Sequence, residues 1–136
     1  MYTPKAMIAG QLIISFPIAA SIIATATAAL PESFRIQTLA LGANALQFLN
    51  AVFHEIKPTI VVAYMAAFGA AISEVGAAMI LGGDVAGETR VLTTAIVFHT
   101  RRGEFSVAVL LGGVLLLITL SANLAISLWK VKPSRG

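Results

Sequence analysis

The sequence is poor in cysteine and in charge. None of its 136 residues is a cysteine, which excludes a disulfide framework and any zinc or redox site built on Cys. Charged residues make up only 11% of the chain and hydrophobic residues 58%, whereas an ordinary soluble domain is about 25% charged. With a mean hydropathy of +0.92, the chain has too little polar surface to cover a water-facing globule. The composition therefore predicts an integral membrane protein.

Motifs for nucleotide binding, nucleic-acid binding and catalysis are also missing. The pattern G-x-x-x-x-G-K-[ST] does not occur, so the chain lacks the P-loop of a nucleotide-hydrolysing subunit. The nine basic side chains are scattered without a run of five, which argues against a nucleic-acid-binding arm. Neither His54 nor His99 has a second ligand at metal-binding spacing, and there is no Ser/His/Asp or Cys/His arrangement. We expect no enzyme activity, no metal and no cofactor.

Three apolar segments are long enough to cross a bilayer: residues 6–30, 58–83 and 105–129. At about 1.5 Å per residue, each helix would exceed a hydrocarbon core of about 30 Å. Continuous apolar runs favour helices over alternating barrel strands, so the predicted fold class is an all-α integral membrane protein with three transmembrane helices. The first segment has a second interpretation, because Lys5, an apolar run and Ala24-Thr25-Ala26 resemble a secretory signal with its cleavage site.

Residues 31–57, between the first two spans, predict a helical hairpin. Ser33 can cap a short helix that begins near Phe34, Gly42 interrupts the pattern, and a second helix is expected over residues 44–56. Apolar residues of this second helix recur at helical spacing, namely Leu46, Leu49, Val52, Phe53 and Ile56. Periodicity leaves two interpretations open: a helix pair lying on the membrane surface, or an element that docks into the groove of a soluble partner.

Residues 84–104, between the second and third spans, carry charges toward both ends and an apolar middle. This pattern predicts a short helix packed on the bundle, with a plain surface loop as the alternative. The distribution of basic residues only weakly indicates which loops face the cytoplasm. Placing residues 31–57 and the C-terminus in the cytoplasm puts five basic residues inside (Arg35, Lys57, Lys130, Lys132 and Arg135) and four outside (Lys5, Arg90, Arg101 and Arg102).

Glu74 lies within the second predicted span, and no other charged residue occurs between Lys57 and Asp84. A charge near the bilayer centre costs roughly 2.5–3.5 kcal/mol on insertion scales. The span has a face of small residues at three- and four-residue spacing, which lets another helix approach closely: Ala66, Gly69, Ala70, Ser73, Gly76 and Ala77. Further small residues surround Glu74 at the same spacings, namely Ala67, Ala70, Ala71, Ala77 and Ala78. We therefore expect Glu74 to face a helix interface or a water-lined gap. It would serve there either as a structural carboxylate or, with Ser73 and Gly76, as part of a pathway or gate.

Residues 71–96 resemble the membrane subunit of tungstate-type ABC importers, which belong with the molybdate and sulfate permeases. The most specific parts are Ser73-Glu74-Val75-Gly76-Ala77 and Thr89-Arg90-Val91-Leu92-Thr93-Thr94-Ala95-Ile96. Tyr2-Thr3-Pro4-Lys5-Ala6-Met7, followed by a span that contains Phe16-Pro17, is also similar to that family. The resemblance runs from Tyr2 to about Trp129, and the chain looks like the C-terminal part of such a permease.

The resemblance implies that residues 31–57 form the cytoplasmic coupling loop of a permease domain and that residues 84–104 form an external loop. In the wider family the coupling loop carries Glu-Ala-Ala, three residues, Gly, nine residues and Ile-x-Leu-Pro. Here Gly42 matches the glycine, Ile36, Gln37 and Thr38 hold the Glu-Ala-Ala positions, and Val52, Phe53, His54 and Glu55 hold the last four. The residues expected to couple to the ATPase are Leu39, Ala40, Leu41, Gly42, Ala43, Leu46, Leu49 and Val52.

The function that this resemblance implies is the translocation subunit of an ATP-driven oxyanion importer for tungstate, in the plasma membrane of a prokaryotic cell. Its expected partners are a separate ABC ATPase subunit, an extracytoplasmic oxyanion-binding protein, a second permease chain and the lipid bilayer. Two alternatives stay open. One is a molybdate or sulfate permease, and the other is a non-transport membrane scaffold or assembly protein in which Glu74 links helices.

Overall fold

The computed structural model describes residues 2–130, with Trp129 and Lys130 described by their backbone alone. Within that range the chain folds into six α-helices and no strand: α1 (Pro4–Ala28), α2 (Glu32–Ala40), α3 (Ala45–Ser73), α4 (Gly76–Gly82), α5 (Leu92–Arg101) and α6 (Phe105–Lys130). Three helices, α1, α3 and α6, are long and apolar enough to cross a membrane. The predicted all-α class with three candidate spans is therefore confirmed. The predicted cytoplasmic anchors Lys132 and Arg135 lie outside the described residues.

The middle of the chain divides differently from the sequence prediction. We expected one helix over residues 44–56 and a separate span over 58–83, but α3 runs without interruption from Ala45 through Pro58 to Ser73. A proline removes one backbone donor, and helices with apolar surroundings tolerate that loss when the rest of the ladder is kept. The actual break comes at Glu74 and Val75, and α4 follows as a helix of seven residues.

The two ends of α1 show that it runs antiparallel to α3 and α4. Near its start, Gly10 lies beside Leu81 and Ala77 of α4. Near its end, Ser21 and Thr25 share a groove with Thr59 of α3. The small buried core lies along this contact and includes Met7, Ile56, Ala63 and Ala78. The predicted span 58–83 therefore corresponds to the part of α3 and α4 that packs on α1, although it is not one helix.

The remaining helices form a second hairpin. Helix α5 occupies the apolar middle of residues 84–104, where the sequence predicted a short helix, and it packs mainly against α6. Helix α6 also touches α3, and Ala108 is its buried residue at the α5 side. The rest of α6 exposes a continuous apolar surface, including Leu110, Leu116, Leu117 and Leu124. A helix that is apolar all round belongs in lipid or against other membrane helices.

Candidate functional site

A tightly specified turn joins α2 to α3. Gly42 adopts φ +78, its N–H donates to the Leu39 carbonyl at 2.9 Å, and the Ala43 N–H donates to the Thr38 carbonyl at 3.3 Å. These two bonds form a Schellman motif, which ends a helix with a left-handed residue. Glycine is the residue that adopts this conformation without a Cβ penalty. The glycine on which the hairpin prediction depended therefore stops α2.

Asn44 begins α3 immediately afterwards. Its side chain accepts a hydrogen bond from the Gln47 N–H at 2.9 Å, and the Gln47 side chain accepts one from the Asn44 N–H at 2.9 Å. This reciprocal capping box satisfies two backbone donors that the first turn of a helix otherwise leaves free. The turn is thus fixed on both sides by its own residues. The predicted cap at Ser33 is replaced by Pro31, and α2 begins at Glu32.

The outward side of this turn carries large apolar side chains. Leu41 is 88% exposed and Leu46 78% exposed at the tip. We name the whole set the turn face, and it comprises Ile36, Leu39, Leu41, Leu46, Leu49 and Phe53, all exposed. Of the other predicted coupling residues, Ala40 and Gly42 are exposed with it and Ala43 is half-buried.

Val52, the last predicted coupling residue, lies beneath the turn face rather than on it. It is buried and lines a cleft of about 320 Å³ together with Leu30 and Phe48. The Phe34 and Phe48 rings approach to 6.4 Å between centroids in the same region. These contacts hold α2 and the start of α3 against the end of α1, so Val52 supports the hairpin from inside.

The continuity of α3 determines where the α2–α3 turn lies relative to the apolar part of the helix. At about 1.5 Å per residue, its 29 residues span about 43 Å, more than a hydrocarbon core of about 30 Å. Because α3 is one helix from Ala45 to Ser73, residues 45–53 do not fold back to lie flat on a membrane surface while the apolar remainder crosses it. The helix instead carries the turn face away from the bilayer. This geometry favours the docking interpretation over the surface-helix interpretation.

Glu74 sits at the break between α3 and α4. Its backbone leaves the helical region at φ −74, ψ 110, and its Oε1 accepts a hydrogen bond from the Ala77 N–H at 2.9 Å. A Cβ on Gly76 would lie 3.2 Å from that oxygen, so glycine leaves room for the carboxylate. Sequence reasoning placed Glu74 inside a helix and facing a neighbour; the structure shows it capping the next helix of its own chain.

The three predicted pathway residues are brought together at this break. Ser73 ends α3 and its hydroxyl donates to the Ala70 carbonyl at 3.1 Å, Glu74 bridges the gap, and Gly76 begins α4. A break inside an apolar segment frees backbone polar groups that lipid cannot satisfy. Such a break is tolerated where it is covered by protein or lines a polar gap. Ser73 and Glu74 place polar side chains at this break, and Gly76 leaves room for the carboxylate.

At the far end of this unit, side chains fill the space left by glycines. Leu81 occupies the position of a Cβ on Gly10, Met7 that of a Cβ on Gly82, and the Tyr2 ring that of a Cβ on Gly83. The Thr89 hydroxyl, which is buried, donates to the Gly82 carbonyl and accepts from the Val85 N–H at 2.9 Å. We name this region, from Tyr2 to Gly10 with residues 77–94, the closed end.

Arg90 fixes the loop of the closed end. Its Nε donates to Asp84 Oδ1 at 3.0 Å and its Nη2 to the Asp84 carbonyl at 3.1 Å, while its guanidinium lies 3.8 Å from the centre of the Phe98 ring. Asp84 adopts φ 50, a conformation uncommon for residues with a side chain. A planar guanidinium can pair and stack at once. The sequence did not predict these contacts of Arg90, although the segment that contains Thr89 and Arg90 carries part of the resemblance to tungstate-type permeases.

Two further local contacts order α5. The Thr94 hydroxyl accepts from the Val91 N–H at 3.0 Å and donates to the Val91 carbonyl, which caps the helix start. At the helix end His99 Nδ1 lies 2.5 Å from Glu104 Oε2, and Arg102 Nε lies 3.3 Å from Glu104 Oε1. The hydrogen bond from His99, aided by the Arg102 charge, lowers the pKa of Glu104 below its ordinary value. In the part of the chain that the structure describes, no three His, Cys, Asp or Glu side chains cluster as metal ligands.

Curated proteins of three organisms match this sequence over most of its length. It is 36% identical over 128 residues to a probable anion ABC transporter permease protein of Haloferax volcanii, a match that covers 90% of this chain and 55% of that protein. It is 37% identical over 128 residues to the tungstate uptake system permease protein TupB of Peptoclostridium acidaminophilum, with coverage of 93% and 55%. A TupB of Campylobacter jejuni is 30% identical over 123 residues, with coverage of 90% and 52%.

The chain thus spans about half the length of the curated relatives that it matches, in their C-terminal portion. No protein-family model matches it, and no solved structure does. The predicted resemblance to tungstate-type permeases is confirmed by these relatives.

Proposed function

We propose that this chain, whose homology to permease proteins of anion and tungstate uptake systems covers at least 90% of its length, is part of the translocation subunit of an ATP-driven tungstate importer. It would lie in the plasma membrane of a prokaryotic cell. The ATP-hydrolysing activity belongs to a separate subunit, an extracytoplasmic protein delivers the anion, and a second permease chain completes the pathway. Residues 1–136 then form the C-terminal part of one transmembrane permease domain.

The observation that carries this proposal is the single helix α3. One end bears the exposed turn face, including Leu46 and Leu49, and the other ends at Ser73 beside Glu74. An ATPase subunit that docks on the turn face therefore acts on the helix that ends at the polar break. A partner shifts a two-state equilibrium only through contacts that differ between the states. The turn face supplies such contacts, and α3 connects them to the pathway.

Within this function, Leu39, Ala40, Leu41, Gly42, Ala43, Leu46 and Leu49 couple the permease to the ATPase, and Val52 holds the hairpin beneath them. Ser73, Glu74 and Gly76 shape or gate the path. A tetrahedral dianion is best bound by backbone amides, hydroxyls or helix N-termini. The Glu74 carboxylate would repel it, so Glu74 is not a ligand of the anion.

Uptake by membrane vesicles tests the proposal. Vesicles that contain the complete permease subunit of which we propose this chain to be part, with the ATPase and the binding protein of the same uptake system, should accumulate radiolabelled tungstate only when ATP is supplied. Unlabelled molybdate and sulfate should compete less well than unlabelled tungstate. Equal competition by molybdate or sulfate would reassign the substrate. The scaffold alternative would be favoured if no ATPase co-purified and Gly42 substitutions had no effect.

Glu74→Gln tests the role of the break. Glutamine keeps an oxygen that can accept from the Ala77 N–H but loses the charge, and charge-assisted hydrogen bonds are roughly twice as strong as neutral ones. We expect ATP-dependent uptake to fall about tenfold, which corresponds to a change of about 1.4 kcal/mol, while the protein level stays normal. Glu88→Gln, which neutralises an exposed loop carboxylate, is the control. Unchanged uptake and ATP coupling in Glu74→Gln would show that the carboxylate has no part in the gate.

A further inference from the structure

The loop between α4 and α5 is bonded to the end of α4. The Thr89 hydroxyl, which is buried, donates to the Gly82 carbonyl and accepts from the Val85 N–H at 2.9 Å. The Val85 carbonyl in turn accepts from three consecutive backbone N–H groups, the last of them that of Arg90, at 3.0 to 3.2 Å. These hydrogen bonds hold residues 82–90 together, so the loop continues the α4 unit as far as Arg90.

The next residue, Val91, is bonded to α5 instead. It is extended at φ −105, ψ 171, and its N–H donates to the Thr94 hydroxyl at 3.0 Å, while that hydroxyl donates to the Val91 carbonyl at 3.1 Å. The N–H of Arg90 therefore belongs to the loop and the N–H of Val91 to the helix. Hinges in proteins are commonly a few residues at the end of an element, where a change of φ and ψ is absorbed. The link from Arg90 to Val91 has this position.

The side chain of Arg90 crosses this link. On the loop side it donates to the Asp84 carboxylate at 3.0 Å and to the Asp84 carbonyl at 3.1 Å. On the α5 side its guanidinium lies 3.8 Å from the centre of the Phe98 ring. The Arg90 and Asp84 side chains are only 23% and 15% exposed, so water screens the pair little. Because a guanidinium can pair through its edge and stack through its face, one side chain ties the loop to α5.

Most other contacts stay on one side of the link. Helix α4 packs on α1, α5 packs mainly on α6, and α6 also touches α3. A second guanidinium, that of Arg102, lies 5.3 Å from the centre of the Phe98 ring, but Arg102 pairs with Glu104 in the turn between α5 and α6. Its contacts are therefore internal to the α5–α6 hairpin. Arg90 differs from Arg102 because its contacts lie on both sides of the link.

We propose that the α5–α6 hairpin pivots at the link from Arg90 to Val91. The Arg90 side chain, held between Asp84 and Phe98, is the positioning group that keeps the hairpin in the orientation seen here. Any contact that exists in one orientation and not in another shifts the balance between them, and the stack of Arg90 on Phe98 is such a contact. The hairpin carries α6, one of the three candidate spans. A role of the pivot in transport rests on the proposed function, but the pivot itself does not.

Distances between pairs of spin labels, measured by double electron–electron resonance on the chain in nanodiscs, test the pivot. The chain has no cysteine, so introduced cysteines direct the labels. Ile80→Cys with Leu124→Cys spans the link, whereas Ile80→Cys with Leu49→Cys lies on one side of it, and all three positions are exposed. In the Arg90→Gln variant, the width of the distance distribution should roughly double for the first pair. It should stay unchanged for the second pair.

Three further variants, each made with both label pairs, separate the clamp from general stability. Arg102→Gln is the matched control, because it removes the other cation beside the same ring and should leave both widths unchanged. Phe98→Leu keeps an apolar side chain but removes the aromatic face, and it should broaden the first pair alone. Phe98→Tyr keeps that face and should behave like the unchanged chain. The two Phe98 variants decide the question if Arg90→Gln does not fold.

Three results would overturn the inference. The first is a narrow distribution for the first pair in both Arg90→Gln and Phe98→Leu, since the hairpin would then be fixed without the stack. The second is broadening of both pairs, which would show that Arg90 only stabilises the fold as a whole. The third is a first pair that is already as broad in the unchanged chain. None of these measurements requires transport, so each would leave the importer assignment standing, and failure of tungstate uptake would leave the pivot standing.

Discussion

The closed end and the α2–α3 turn use glycine for opposite reasons. At the closed end, a Cβ on Gly10, Gly82 or Gly83 would meet the side chain of Leu81, Met7 or Tyr2. At the turn, no described atom beyond the two chain neighbours lies within 4 Å of where a Cβ on Gly42 would be, and the residue is required by its φ of +78. At the closed end glycine permits close packing, and at the turn it permits the backbone conformation that redirects the chain. The first region is therefore closely packed, and the second turns the chain from α2 into α3.

The same contrast holds for polar and apolar side chains. The closed end buries Thr89, Thr93 and Thr94 and pairs Arg90 with Asp84, so its polar groups are satisfied internally. The turn leaves its large apolar groups outside. The closed end also exposes apolar side chains, among them Ile80 at 76%, and exposed apolar side chains at either end gain free energy when lipid or protein covers them.

The largest effect should come from overfilling the closed end with Gly82→Val. A Cβ at this position would lie 2.5 Å from Met7 Sδ and 3.0 Å from its Cγ, and Met7 is buried. Overpacking of this kind costs about 1–3 kcal/mol. We therefore expect the variant in detergent to unfold at a clearly lower temperature than the unchanged chain, as measured by circular dichroism. Gly113→Val, where no described atom is within 4 Å, should cost less than half as much.

A double-mutant cycle sharpens that prediction. Gly82→Ala and Met7→Ala should each destabilise, but their combination should cost less than the sum, because the added methyl occupies space that the shortened side chain vacates. Strict additivity would mean that the α1–α4 contact is not what the glycine serves.

At the turn, Gly42→Ala should cost less, about 1 kcal/mol, because only the backbone conformation opposes it. The bond from the Ala43 N–H to the Thr38 carbonyl should weaken, and hydrogen exchange at Ala43 should quicken. Gly42→Asn should lie between glycine and alanine, since asparagine tolerates the left-handed region better. Gly69→Ala is the control, because Gly69 is helical with open space beside it. Equal exchange at Ala43 in all variants would contradict the assigned motif.

Sequence patterns predicted the parts of this structure that depend on local chemistry. Apolar runs indicated α1 and α6, and Gly42 with its neighbours indicated the hairpin. The break at Glu74 was missed because apolar and small residues continue on both sides of it as far as Leu81. The hydrogen bond from Ala77 shows that the carboxylate caps a new helix. Near Pro58 the sequence analysis expected one helix to end and another to begin, but α3 continues through this residue. Ordering of Arg90 depends on Phe98, eight residues away and on another element, which periodicity does not report.

The smallest effect concerns the α5–α6 turn beside the closed end. The hydrogen bond from His99 is the main cause that lowers the pKa of Glu104, and the Arg102 charge adds to it. Because the folded pKa lies below the unfolded one, the contribution to stability is present above the unfolded value and is lost as pH falls through the folded value. The protection factors of amides in the α5–α6 turn, which correct for the intrinsic pH dependence of exchange, should therefore stay constant from neutral pH down to the ordinary range of a glutamate and fall only below it. A carbon NMR titration of the Glu104 carboxyl should show a higher pKa in His99→Ala and a smaller increase in Arg102→Gln. If Arg102→Gln produced the larger increase, the Arg102 charge rather than the hydrogen bond from His99 would be the main cause of the lowered Glu104 pKa.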